Sequence, residues 1–367
     1  MKILAIESSC DETSAAVVEK IEENIIVHSN ITASSLSTHA KTGGIIPENA
    51  AREQIQYIIP VITHALIQYK NNTNQSNKRQ IDDFKNASDI VKNNIDAIAI
   101  TYGPGLMGSL LVGVETAKTL CYIFEKSLIP VNHLLAHIFA NFIISDKLKL
   151  PPLDNQRQKI IEYPFVGLIV SGGHTDLLYF KNLQEFKWLG GTRDDAAGEA
   201  LDKIGRLLGL PYPAGPEIEQ RAIKGISTNI RFHAPLLGVN TYDFSFSGLK
   251  SEVMRFTQQH TLTEDLKNEI CFAAQKAVVD VLTKKTLNAA EEYGASAILL
   301  GGGVSANQTL VKNIKLQIEK RILPTKVFSP EKKYCTDNAA MIGACALLNP
   351  VKKPWRGVHA NPELYFD

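Results

Sequence analysis

The chain has 367 residues, 44% of them hydrophobic and 21% charged, with a formal net charge of +1. That length favours two domains, and the ordinary apolar-to-charged mix excludes a disordered or collagen-like chain. The near-neutral balance excludes a globally basic nucleic-acid binder but leaves room for a local patch.

Five scattered cysteines, none in a Cys-x-x-Cys pair, fit a reducing compartment rather than a disulfide framework. The first apolar run, Lys2 to Ile6, is too short for a signal peptide, and no stretch reaches the roughly 18 apolar residues of a membrane span. A cytoplasmic protein with no membrane association is expected.

Lys2 to Ile6 reads as a first strand, followed by a polar turn from Glu7 to Ser14 and further strands at Ala15 to Val18 and Ile25 to Val27. Asp11, Glu12 and several hydroxyls crowd that turn. Any one of them is ordinary turn chemistry, but their density marks a ligand loop. Gly43-Gly44 leads to a helix from Pro47 to about Tyr69, with proline and acids in its first turn. Residues 71–94 are rich in asparagine and lysine and read as a flexible surface insertion. Ile95 to Ile100 is a buried strand. Gly103-Pro-Gly105 and Gly108 then lead into a helix to about Phe124, which is either an anion-friendly turn or a tight turn needing close packing.

After a short strand at Leu128 to Val131 come His133 and His137, four residues apart in an apolar run. On a helix that spacing puts both rings on one face, about 6 Å apart, within reach of one metal ion. The alternative is a pair of packed core histidines. The run lacks the carboxylate that a His-Glu-x-x-His metalloprotease uses as general base, because Leu134 stands there.

A second strand–turn–strand follows at 165–180, with Ser171-Gly172-Gly173-His174 at its tip, so the opening pattern occurs twice. Its glycines allow backbone N–H groups to approach a phosphate. Gly190 to Lys203 is expected to open a helix to about Leu210. Asp195, Glu199 and Asp202 would then share one thinly covered face. An aromatic, hydroxyl-rich loop spans Tyr242 to Lys250, and a long helix spans Thr263 to about Tyr293. A strand at Ala297 to Leu300 ends in Gly301-Gly302-Gly303, with Asn307 placed to bond a ribose or base. Thr336 or Asp337 is the expected N-cap of a closing helix. The basic tail at Lys352 to Arg356 could touch phosphates but reads better as a solvated end.

Taken together, Glu7-Ser-Ser-Cys-Asp-Glu-Thr13, Gly103-Pro-Gly-Leu106, the His133/His137 pair, Ser171-Gly-Gly-His-Thr175, Asp194-Asp-Ala-Ala-Gly-Glu199, Phe244-Ser-Phe-Ser-Gly-Leu-Lys250, Gly302-Gly-Val-Ser-Ala-Asn307 and Thr336-Asp-Asn338 resemble the tRNA N6-adenosine threonylcarbamoyltransferase family, once called O-sialoglycoprotein endopeptidases. The resemblance covers nearly the whole chain. It implies an α/β protein of the actin/Hsp70/sugar-kinase fold, with two ribonuclease-H-like lobes and a nucleotide cleft between them. The lobes are expected at 1–130 and 131–350, the second including the histidine helix, with a tail at 351–367.

The resemblance further implies that His133, His137 and Asp337 hold one divalent metal, Fe2+ as the first expectation and Zn2+ as the other. Ile169, Val170, Ser171, Gly172, Gly173, Asp202, Gly215 and Asn307 would bind threonylcarbamoyl-adenylate. Asp11, Glu12 and Glu199 are the candidates for orienting or deprotonating the N6 amine of adenosine 37 in tRNAs reading codons that begin with A, with AMP released. The implied partners are tRNA, a related non-catalytic subunit and a small ATPase. Two positions depart from the family pattern: Leu135, where a glutamate is frequent, and Gln54, where a histidine commonly follows Arg-Glu. A small-molecule kinase of the same fold, or a non-catalytic scaffold subunit, is the alternative; neither is expected to carry the His/His/Asp set.

Overall fold

Strands β1 (Lys2–Glu7) and β4 (Ala97–Gly103) run parallel at the centre of the first sheet in the computed structural model, which describes residues 1–35, 46–73, 83–144, 161–225, 230–233 and 236–366. Ile3, Leu4, Ala5, Ile6, Ile98 and Ile100 are wholly buried, as strands covered on both faces require. β2 (Glu12–Ile21) and β3 (Asn24–Ser34) extend the sheet antiparallel on one side, and β5 (Ser127–Asn132) extends it parallel on the other. The order is β3-β2-β1-β4-β5.

Alternation along the strands divides the two faces. Leu4, Ile6, Val17, Ile98 and Ile100 pack on helices α1 (Pro47–Thr73), α2 (Asp83–Asn94) and α3 (Met107–Phe124). Of the expected flexible insertion, residues 71–73 and 83–94 are helical, and Ala87, Ile90 and Val91 of α2 join this core; 74–82 lie outside the described residues. Among the described residues α3 is the one helix with the length and apolar composition to cross a membrane. Its Leu110, Gly113, Val114, Ala117 and Cys121 are buried, as expected of a helix covering a sheet.

The short helix α4 (His133–Phe139) follows β5 directly. The second sheet repeats the first. β6 (Phe165–Val170), β7 (Thr175–Phe180) and β8 (Phe186–Gly191) form the antiparallel part, and β9 (Ala297–Gly301) and β10 (Lys326–Phe328) the parallel part, in the order β8-β7-β6-β9-β10. Its core packs against α5 (Ala197–Leu207), α6 (Gly215–Lys224), α7 (Ser247–Gln259), α8 (Glu264–Glu292) and α9 (Gln308–Arg321). β8 was not expected. The segment from Gly190 was expected to open a helix, but Gly190 and Gly191 are the last two residues of a strand paired with β7, and α5 starts only at Ala197.

The chain forms two compact units, Met1–Ile160 with Asp337–Asp367, and Ile161–Thr336. The boundary drawn at residue 130 from the sequence falls inside β5, which needs β4 beside it for its ladder hydrogen bonds. The closing helix α10 (Ala339–Leu348) returns to the first unit and covers the other face of its sheet. The tail belongs there too. Lys353 N–H donates to Leu128 O, Trp355 packs edge-on to Tyr122, and Val358 is buried in the core. At 352–356 the chain is thus held by its backbone and Trp355, while Lys352, Lys353, Pro354 and Arg356 stay exposed as a solvated end would.

Each sheet thus carries the five-stranded ribonuclease-H-like order, the fold expected of each lobe of an actin/Hsp70/sugar-kinase protein. Gly343 sits where α10 crosses the first sheet; a Cβ there would lie 2.5 Å from Val18 Cγ2. Gly343→Ala is expected to lower stability by about 1–3 kcal/mol through overpacking, measured as a fall in urea midpoint at unchanged m-value.

Candidate functional site

The first-unit site is assembled around Glu7, a wholly buried carboxylate at the end of β1. A charge without solvent must be met by donors. The Thr101 hydroxyl on β4 and the Ser9 backbone N–H supply two, and His133 Nδ1 lies 3.1 Å from Glu7 Oε2. Ser9 Oγ is 3.2 Å from the same nitrogen. His133 begins α4 because Asn132 caps it, its side chain accepting from the N–H groups of Leu134 and Leu135.

With Nδ1 bound to Glu7, His133 Nε2 faces Asp337 Oδ1 at 3.5 Å, and His137 Nε2 faces the same oxygen at 3.3 Å. The two imidazole rings are 4.7 Å apart. One ligand atom from each of His133, His137 and Asp337 lies within 4.8 Å of the others. His137 is buried, and neither of its ring nitrogens has a hydrogen bond, the Asp337 approach lacking the required geometry.

Asp337 reaches the pair from the far end of the chain because α10 is anchored there. Ser14 Oγ accepts from Ala339 N–H and Asn30 Oδ1 accepts from Ala340 N–H. Asn338 is the N-cap, accepting from Met341 N–H, and not Thr336 or Asp337 as the sequence suggested. A cap one residue later turns Asp337 towards the histidines.

Asp11 closes the turn after β1, and Glu12 is the first residue of β2. The Asp11 carbonyl accepts from both N–H and Oγ of Ser35. Burial, then the Asp337 charge, then Asp11, push Glu12 up to about 10, so it keeps its proton at neutral pH. Burial acts to lower His133, but the Glu7 and Asp337 carboxylates outweigh it and raise it to about 9. Burial, helped by His133, holds His137 below its ordinary value although Asp337 opposes this.

Glu199 belongs to a different unit from Asp11 and Glu12. It lies in the second unit, half-exposed and paired with Lys203 at 2.9 Å. Asp195 precedes α5 and pairs with the same lysine at 2.6 Å. Asp202 turns away to accept from the N–H groups of Ala214 and Gly215 at the start of α6. The expected face of three carboxylates is therefore neutralised by one lysine and one helix N-terminus.

At the carboxyl ends of β6 and β9, Ile169 and Val170 are buried, while Gly172 and Gly173 have open space where a side chain would stand. Ser171 closes the turn, its Oγ accepting from the N–H groups of Gly173 and His174 and its carbonyl from Gly198 N–H. Gly302 has φ +89°, and a Cβ there would lie 2.4 Å from Val170 O, so only glycine fits this crossing. Space opposite Gly215 is also open. Asn307 is engaged at both ends: Oδ1 caps α9 through Leu310 N–H, and Nδ2 donates to Gln275.

The loop at 244–247 is held by Asp194. One carboxylate oxygen accepts from the N–H groups of Phe246 and Ser247, the other from the hydroxyls of Ser245 and Ser247. The sequence reading passed over Glu7 as a partner of His133. An acid closing a run of apolar strand residues was the available signal.

Two α/β units of ribonuclease-H-like topology, with a His/His/Asp cluster in the first and an open glycine turn in the second, define a protein of the actin/Hsp70/sugar-kinase class that carries a candidate metal centre. The family model TsaD, tRNA N6-adenosine threonylcarbamoyltransferase, matches residues 26–344. The chain is 43% identical over 361 residues to the tRNA N6-adenosine threonylcarbamoyltransferase of Moorella thermoacetica, covering 98% of this chain and 95% of that one. It is 44% identical over 349 residues to that of Clostridium kluyveri, covering 94% and 92%. The chain belongs to the tRNA N6-adenosine threonylcarbamoyltransferase family. Among solved structures, T. kodakarensis HypF shares the fold with a TM-score of 0.56 at 14% identity, covering 94% of this chain and 47% of that one. The chain thus spans about half of that protein's length.

Burial acts to raise Asp194, but its hydrogen bonds, led by Ser245, outweigh this and hold it below the ordinary carboxylate value. A depressed folded pKa gives stability that is complete above the unfolded value of about 3.9 and is lost as pH falls through the folded value. Asp194→Asn is therefore expected to melt below wild type at pH 7, with the gap closing below about pH 4. Thermal melts of both proteins across the acid range measure it.

Proposed function

We propose that this protein transfers the threonylcarbamoyl group of threonylcarbamoyl-adenylate to N6 of adenosine 37 in tRNAs reading codons that begin with A, releasing AMP. Family membership over nearly the full chain supports the reaction. The observation that carries the reading is the intact His133/His137/Asp337 cluster, which a scaffold subunit or a small-molecule kinase has no use for.

Two imidazoles and a carboxylate are a donor set for a first-row divalent ion, and His137, buried with unbonded ring nitrogens, fits that role. Fe2+ is the proposed ion, with Zn2+ the other that the set would hold. When bound, it would polarise the acyl oxygen and offset developing charge.

The remaining steps belong to the chain. The backbone at Ile169 to Gly173 cradles the adenylate, with Asp202, Gly215 and Asn307 shaping the surrounding turns. The N6 amine, on an unstacked base, forms a bond to the carbamoyl carbon as the bond from that carbon to the phosphate oxygen breaks. Asp11 takes the amine proton; protonated Glu12 beside it orients the pair. Glu199 orients the second-unit turn through Lys203. The protein works in the cytoplasm, away from membranes, with tRNA, a related non-catalytic subunit and a small ATPase.

The test supplies the purified assembly with threonylcarbamoyl-adenylate and unmodified tRNA, then analyses the digested nucleosides by mass spectrometry. Threonylcarbamoyladenosine is expected from wild type. His137→Ala is expected to lose bound metal and to form product about a hundredfold or more slowly. No modified nucleoside from wild type, or full yield from His137→Ala, overturns the reading.

A further inference from the structure

Gln54 projects from α1 and is buried, only 1% exposed, although its neighbour Ile55 is 65% exposed. Its amide nitrogen faces three backbone carbonyls: Cys10 O at 3.0 Å, Glu12 O at 3.1 Å and Ser8 O at 3.4 Å. Only the donor end of the amide suits three acceptors, so its orientation is fixed by chemistry. The cost is visible at the other end, where Oε1 is buried without a partner.

Those three carbonyls belong to a set of five. Ser9 O accepts from Leu106 N–H at 2.8 Å, Cys10 O also from Ser109 Oγ at 2.9 Å, and Asp11 O from Ser35. Gly105 comes close enough that a Cβ there would lie 2.4 Å from Ser9 O. Every carbonyl from Ser8 to Glu12 is thus held by the protein. From the Gly103–Ser109 turn, one of whose expected uses was anion binding, Leu106 N–H and Ser109 Oγ do this work, while Gly105 N–H donates to Pro362 O. Gln54 alone grips alternate residues, spanning the turn from its start to its end.

We propose that Gln54 is a positioning residue whose buried amide fixes the backbone of residues 8–12 and thereby the aim of the Asp11 and Glu12 side chains. It touches neither substrate nor metal. Its effect falls on the chemical step and leaves donor binding and metal loading alone, because its bonds go only to backbone carbonyls of the turn and none reaches His133, His137 or Asp337, Ser9 meeting Glu7 and His133 through its own N–H and Oγ. A histidine at this position, which the family pattern carries, offers one ring N–H towards the same carbonyls; leucine offers none, and glutamate reverses the polarity at equal size.

The inference rests on the acyl-transfer reading, and one experiment separates the two. Wild type, Gln54→His, Gln54→Leu and Gln54→Glu are assayed in the full assembly for kcat, for KM of threonylcarbamoyl-adenylate and for metal content. Hydrogen exchange is followed over residues 8–13. Gln54→Leu and Gln54→Glu are expected to lose about ten- to a hundredfold in kcat, the scale of a small misplacement of a reacting group. Metal content and KM should stay within about twofold. Exchange in residues 8–13 should quicken about tenfold or more while β1 is unchanged. Gln54→His should recover kcat to within about threefold of wild type, one donor replacing another.

An inactive wild type sinks the acyl-transfer reading itself. An active wild type with kcat unchanged in Gln54→Leu overturns the positioning role, as does a loss of kcat matched by equal losses of metal or donor affinity. Should Gln54→Leu not fold, the Gln54→His and Gln54→Glu pair decides: equal kcat in both overturns the proposal.

Discussion

A buried carboxylate cannot be left alone, and the first unit is built around that constraint. Glu7 sits at the end of β1 with no access to water, so its oxygens must be met from within the protein. Thr101 comes from the neighbouring strand, Ser9 from the following turn and His133 from a helix that begins more than a hundred residues later. One acid therefore ties β1, β4 and α4 together at a single point. It also sets chemistry: a carboxylate accepts, so His133 presents N–H at Nδ1 and leaves Nε2 turned towards Asp337.

The second unit spends its polar side chains differently. Asp202, Asn307 and Asp194 each take up the N-terminal amides of a helix, α6, α9 and α7 in turn. Helix N-termini carry unpaired donors and partial positive charge, and a nearby side-chain oxygen is the cheapest way to satisfy both. What remains for a ligand is backbone at Gly172 and Gly173, where no protein atom fills the place of a Cβ. The two units thus differ in kind: one offers clustered side chains, the other a shaped main chain.

The parts legible in the sequence were those with local signatures. The apolar runs, down to the short Val327-Phe328, marked nine of the ten strands among the described residues, and the spacing of His133 and His137 gave their shared helix face. β8 was hidden because Phe186 to Gly191 carries little alternation and ends in two glycines, which read more readily as a helix entry. The carboxylate face on α5 failed for a different reason. Spacing fixes which residues share a face but not who neutralises them, and Lys203 sits on that same helix. Asp337 came from family resemblance alone, since no spacing rule joins residues so far apart. Gln54 stood out only as a departure; that it grips three carbonyls depends on how α1 lies against the opening turn, which no local pattern contains.

The first unit is interrupted in sequence: it is begun before Ile161 and completed only from Asp337 onward. On the ribosome, β1 to β5 and the histidine helix emerge first, with the face of the sheet that α10 will cover still bare. The whole second unit must then be made before Asp337 and α10 appear. At about 5–20 residues per second, residues 161–336 occupy roughly 10–35 s. Until then the apolar sheet face that α10 covers has no cover from this chain's own closing helix. The segment that closes the sheet is the same one that completes the His/His/Asp cluster, so capacity to hold a metal arrives at the moment the fold becomes complete.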